Sequence, residues 1–104
     1  MWKSYGAVSA AKCALESNLR QIAVELAPYG IAANAIQAGV TDTPALRKIP
    51  ANVQMIEYAR SVNPSKRLTV PEDVGQALVD IGLSENVWLT GNVIRVDGGE
   101  DIIG

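Results

Sequence analysis

The sequence predicts an α/β fold, part of a doubly wound parallel sheet. Three observations carry this: one long amphipathic stretch near the N-terminus, two short aliphatic runs separated by helical segments, and a small-aliphatic composition. Of the 104 residues, 48% are hydrophobic, largely Ala, Val, Ile and Leu with no Phe. Such a palette suits helices packed on a parallel sheet.

The first element is a helix over residues 5–28. Val8, Ala11, Leu15, Leu19, Ile22, Ala23 and Leu26 recur at spacings of three and four, the period of a helix with one buried face. Ser4 is a candidate cap, and Pro28 with Gly30 ends the element. Tyr5 and Lys12 are seven residues apart, close to two turns. A phenol and an ammonium therefore lie along one side of the helix, about 10 Å apart along its axis. The next run, 31–38, is apolar with one polar interior residue, Asn34, and reads as a buried parallel strand that Gly39 stops.

The loop VTDTPALRKIP follows, with Thr41, Asp42 and Thr43 ahead of Pro44. Open α/β sheets place ligands just past the carboxyl ends of strands, where this hydroxyl-rich turn falls. A modest helix over 52–61 sits between Pro50 and Pro64. Pro71-Glu72-Asp73-Val74 opens another helix, with Thr69 as candidate cap, Val74, Leu78 and Ile81 as its stripe, and an end near Leu83. Trp88 to Gly91 is a turn, residues 92–96 (NVIRV) are a second strand, and Asp97-Gly98-Gly99 breaks it. The order is helix, strand, helix, helix, strand, the tail of a βαβ pattern.

Composition narrows the function. Charged residues are 19% and the formal net charge is −2, so nothing suggests a nucleic-acid footprint. With no His and one Cys, zinc sites, disulfides and His-based triads are excluded, and no metal is expected. Cys13 reads as a buried small hydrophobe. No leader pattern and no run of 18 apolar residues is visible, so a soluble, cytoplasmic protein with no membrane partner is expected.

The residues YGAVSAAKCALESNLRQIAVELAPYGIAANAIQAG, then VTDTPAL, then RLTVPEDVGQALVDIGLSENVWLTGNVIRVDGG resemble the C-terminal half of a short-chain dehydrogenase/reductase. The resemblance covers nearly the whole chain. Members of that family commonly place a tyrosine four residues before the lysine, where this sequence has Val8. Tyr5, six intervening residues and Lys12 is instead the arrangement of the family's enoyl-acyl-carrier-protein reductase branch. TPALRKIPANVQMIEYARSVNPSKRLTVPED is similar to that branch as well. Ala38 stands where the family commonly has proline before the glycine.

The resemblance implies the C-terminal portion of a Rossmann-like sheet over residues 1–104, with the family's N-terminal cofactor half absent from this sequence. It implies NADH- or NADPH-dependent reduction of a 2-enoyl thioester, carried by acyl carrier protein or CoA, in bacterial fatty-acid synthesis. A ketoacyl or alcohol reductase of the same family, or a non-enzymatic remnant folding only as an oligomer, are the alternatives. Tyr5 would donate to the thioester carbonyl, and Lys12 would hold the cofactor ribose and keep positive charge near the phenol. Gly39, Val40, Thr41 and Thr43 would meet the cofactor, Val40 through its backbone at the carboxamide. Ala45, Leu46, Met55 and Ile56 would line the acyl site, with the helix around Met55 and Tyr58 as a flap. Members of the family are tetramers, so a homo-oligomer is expected. Two strands make a poor independent sheet, so the chain should expose apolar surface.

Overall fold

A computed structural model describes residues 5–103. Helix α1 spans Gly6–Leu26 and runs into a 3₁₀ turn at Ala27–Tyr29. Strand β1 is Ala35–Ala38, followed by α2 (Pro44–Arg47), α3 (Asn52–Val62) and α4 (Pro71–Gly82). Strand β2 is Val93–Val96, and α5 (Glu100–Ile103) closes the described chain. The strands pair in parallel with Ala35 opposite Val93 and Ala38 opposite Val96. A parallel pair needs a long crossover, here supplied by α2, α3 and α4.

Local chemistry sets the element ends. Gly30 takes φ 69°, a left-handed conformation that costs glycine nothing, and its N–H donates to the Ala27 carbonyl. Thr43 caps α2 by accepting from the Leu46 N–H at 3.2 Å, with Pro44 in the first turn. At the start of α4, Val70 occupies the cap position, not Thr69, which is buried. The Asp73 carboxylate supplies the cap by accepting the Val70 N–H at 2.9 Å. Arg67 grips the same carboxylate at 2.8 and 3.0 Å. That guanidinium first, and the Val70 N–H second, lower the Asp73 pKa from its ordinary 3.8 to about 2.

The first strand is shorter than the sequence suggests. Residues 31–34 lie outside it, where the chain meets the turn before β2 and not a strand, and Asn34 bonds that turn through its side chain. Its Nδ2 donates to the Leu89 carbonyl at 2.8 Å, and its Oδ1 accepts from the Asn92 N–H and Nδ2. Ala33 N–H donates to Thr90 Oγ1, and Gly91 N–H to the Ala33 carbonyl at 2.7 Å. These bonds clamp the entry of β1 onto the entry of β2.

The core is small. Leu19 and Ala23 of α1, Leu46 of α2, and Met55 and Ala59 of α3 are the buried hydrophobic residues among those described. Several expectations fail for one reason: the sheet covers little of α1. Leu15 is 54% exposed and Ile22 45%, Val8 is exposed too, and Cys13 is a free, exposed thiol and not a buried one. Strand β1 is half-buried to exposed along its length. The surface totals 7317 Å², against roughly 5,600 Å² for a compact monomer of 11 kDa. Two short helices also escape a periodicity argument, α2 inside the expected loop and α5 after the Asp-Gly-Gly turn. The candidate cap Ser4 lies outside the described residues.

Candidate active site

The carboxyl end of β1 opens into a cleft of about 450 Å³, within the size of small-molecule sites. Tyr5, at the cap position of α1, and Lys12 of α1 face it from one side, and Gly39, Val40, Thr41 and Thr43 of the loop after β1 form its floor. Ala45, Leu46, Ile49 and Met55 supply an apolar wall. The structure thus brings together every sequence-predicted site residue except Ile56. Met55 points into the core beside the cleft, and the next residue on a helix is turned about 100° away, which takes Ile56 out of the lining. In the helix expected to act as a flap, Met55 is buried at 7% exposure while Tyr58 is 48% exposed.

The loop is fixed by its own backbone chemistry. Gly39 donates to the Val96 carbonyl at 3.2 Å and accepts from Thr41 Oγ1 at 2.9 Å. A Cβ at Gly39 would lie 2.4 Å from Thr69 Oγ1 and 3.1 Å from Asp97 Cβ. Close approach at this glycine therefore serves the chain's own packing. The two threonines differ chemically. Thr41 gives its hydroxyl hydrogen to the Gly39 carbonyl and retains acceptor capacity alone. Thr43 accepts from Leu46 N–H and keeps its hydroxyl hydrogen for a ligand acceptor.

The backbone of Val40 is engaged within the chain. Its N–H donates to Glu100 Oε2 at 3.0 Å, and its carbonyl accepts the Thr69 N–H at 3.2 Å. The Val40 amide is thus engaged by an acid that comes 60 residues later. The carbonyl retains one lone pair. Glu100 also lines the cleft. No local signal in the sequence links residue 100 to residue 40; parallel pairing of β1 with β2 does. Asp97 holds that end in place, its carboxylate accepting from the Gly99 and Asp101 N–H groups at 3.0 and 3.1 Å.

A parallel strand pair flanked by helices, with a Tyr and a Lys from one helix over the carboxyl end of a strand, defines the C-terminal portion of a Rossmann-like domain of the short-chain dehydrogenase/reductase class. Comparison with known proteins agrees. The family model described as enoyl-(acyl carrier protein) reductase matches residues 1–100, and the chain belongs to that family. It is 33% identical over 99 residues to the NADH enoyl-acyl-carrier-protein reductase FabI of Escherichia coli, covering 95% of this chain and 38% of that protein. The crystal structure of the NADH enoyl-acyl-carrier-protein reductase of Aquifex aeolicus superposes with a TM-score of 0.87 at 36% identity, covering 96% of this chain and 39% of that one. A cis-4-hydroxycyclohexanecarboxylate dehydrogenase of Sinomonas cyclohexanicum is 36% identical over 91 residues, 88% of this chain and 36% of that protein. The chain therefore spans under two-fifths of the length of these relatives.

Proposed function

We propose that this chain carries the substrate-side half of an NADH- or NADPH-dependent reductase acting on 2-enoyl thioesters of acyl carrier protein or CoA, in fatty-acid synthesis in the cytoplasm. The observation that carries the reading is the convergence of Tyr5, Lys12 and the 39–43 loop on one cleft, at the Tyr-x6-Lys spacing of the enoyl reductase branch. The donor set suits a nicotinamide riboside: an ammonium for vicinal hydroxyls, a free Thr43 hydroxyl hydrogen and a backbone carbonyl for an amide. When bound, such a reduced nicotinamide supplies hydride for the β-carbon of the substrate.

The chain's own residues do the rest. The Tyr5 phenol donates to the thioester carbonyl oxygen, where negative charge builds as the double bond is reduced. A donor aimed at that oxygen stabilises charge absent from the ground state. Lys12 holds the ribose hydroxyls and adds a positive charge beside the phenol. Val40 accepts from the carboxamide NH₂ through its carbonyl, and Ala45, Leu46, Ile49 and Met55 shield the acyl chain from water. Residues 1–104 act as one unit.

The test is calorimetric titration with NADH and NADPH, then turnover of a short 2-enoyl thioester. Saturable binding supports the reading. Its absence up to millimolar cofactor means that this chain alone builds no cofactor site.

A second reading has one observation in its favour. Leu15, Ile22 and Val24 of α1, with Leu78 and Val79 of α4, are all at least 45% exposed. A homo-oligomer, tetrameric as in the family, would cover such surface, and a non-enzymatic chain that folds only as an oligomer would need to. Light scattering separates these from a monomer.

A further inference from the structure

Glu100 is the one acid among the described residues of the cleft lining, and the mechanism above gives it no task. Its Oε2 accepts the Val40 N–H at 3.0 Å, while its Oε1 is buried without a hydrogen-bond partner. The neighbouring acids are committed elsewhere. Both Asp97 oxygens accept backbone N–H groups, and Asp101 pairs with Arg95 at 3.1 Å. Among the described residues the cleft lining thus holds two formal charges, Lys12 and Glu100, with Glu16 of α1 lining the adjoining cavity beside Lys12. With Lys12 at the ribose, Glu100, fastened to Val40, stands at the nicotinamide end.

We propose that Glu100 determines which redox state of the nicotinamide this cleft prefers, favouring the cationic oxidised ring over the neutral reduced one. The inference rests on the functional reading above. Oxidised nicotinamide carries a full positive charge and the reduced ring none, so a fixed carboxylate attracts the first and is nearly indifferent to the second. An oxygen out of contact with water is poorly screened, which strengthens the attraction beyond its value in bulk solvent. Glu100 is thus a specificity-determining residue, acting by charge and not by shape.

The experiment is calorimetric titration of the 104-residue chain and of Glu100→Gln with oxidised and with reduced cofactor. The amide is isosteric and still accepts from Val40, so the fold is kept. The expected result is a loss of about tenfold in the preference for the oxidised form, equivalent to about 30 mV in the potential of the bound two-electron couple. Asp101→Asn, with the same change in net charge, leaves the preference within about twofold. An unchanged ratio in Glu100→Gln, or an equal gain for both cofactors, overturns the inference and makes the carboxylate a plug on the Val40 amide. An equal shift in Asp101→Asn overturns it as well, in favour of a general field. Binding of neither cofactor by the parent chain defeats the functional reading itself, and this inference with it.

Discussion

Replacing Gly39 by alanine inserts a methyl group where the fold leaves no room. The new Cβ would meet Thr69 Oγ1 at 2.4 Å and the Asp97 Cβ and Cα at 3.1 and 3.2 Å. The first contact is with a buried, β-branched side chain, 4% exposed, and the last is with backbone; neither yields freely. Overpacking of this kind costs about 1–3 kcal/mol, and two opposed contacts put Gly39 at the upper end. The glycine has no left-handed φ, so alanine recovers about 0.4–1 kcal/mol of unfolded-state entropy. The net loss is about 2 kcal/mol, a fall of roughly 8–16 °C in melting temperature for a chain of this length. Thermal unfolding followed by circular dichroism measures it. Adding Thr69→Ala removes the tightest contact, so the double variant should be about 1 kcal/mol more stable than additivity predicts. A melting temperature of Gly39→Ala within about 2 °C of the parent would refute the packing argument.

Other perturbations reach different parts of the molecule. Asn63 is buried, donating to the Asp97 carbonyl at 3.0 Å and accepting the Ser65 N–H at 2.8 Å. Asn63→Ala strands both groups and should cost about 2–3 kcal/mol in urea unfolding. Asp73 titrates near 2 in the fold against an ordinary 3.8, so its contribution is present above about pH 4 and lost as pH falls through about 2. Melting temperature measured from pH 4 down to pH 2 should therefore fall less steeply in Asp73→Asn. If the proposed roles hold, Lys12→Ala weakens NADH binding by about tenfold, as fluorescence titration would record. Tyr5→Phe leaves that binding unchanged while lowering kcat on an enoyl thioester by about 10²–10³.

Much of this was legible in the sequence, and the rest was lost for identifiable reasons. The α1 stripe announced a helix because a 3.6-residue period is a property of one segment. What that stripe packs against is not, so the expected burial of Leu15, Ile22 and Cys13 fails and all three lie exposed. Thr69 reads as a cap because hydroxyls usually cap helices, but its side chain is taken into the packing against Gly39, and Asp73 takes over the capping. The loop 39–43 was recognisable from Gly, Thr and Pro placed after a strand. The engagement of Val40 by Glu100 was not, since it depends on strand register across most of the chain.

The distance along the chain between those partners governs when the cleft can exist. Ala35 pairs with Val93, and Val40 bonds Glu100, so closing the sheet means closing a loop of nearly sixty residues, whose entropy is spent before any reward. Helices α1 and α4 need no such closure and can form early. The Asn34 clamp, made only between the two strand entries, then belongs to the last steps, and weakening it should speed unfolding more than it slows folding. During synthesis, the floor of the cleft waits for residue 100 to arrive.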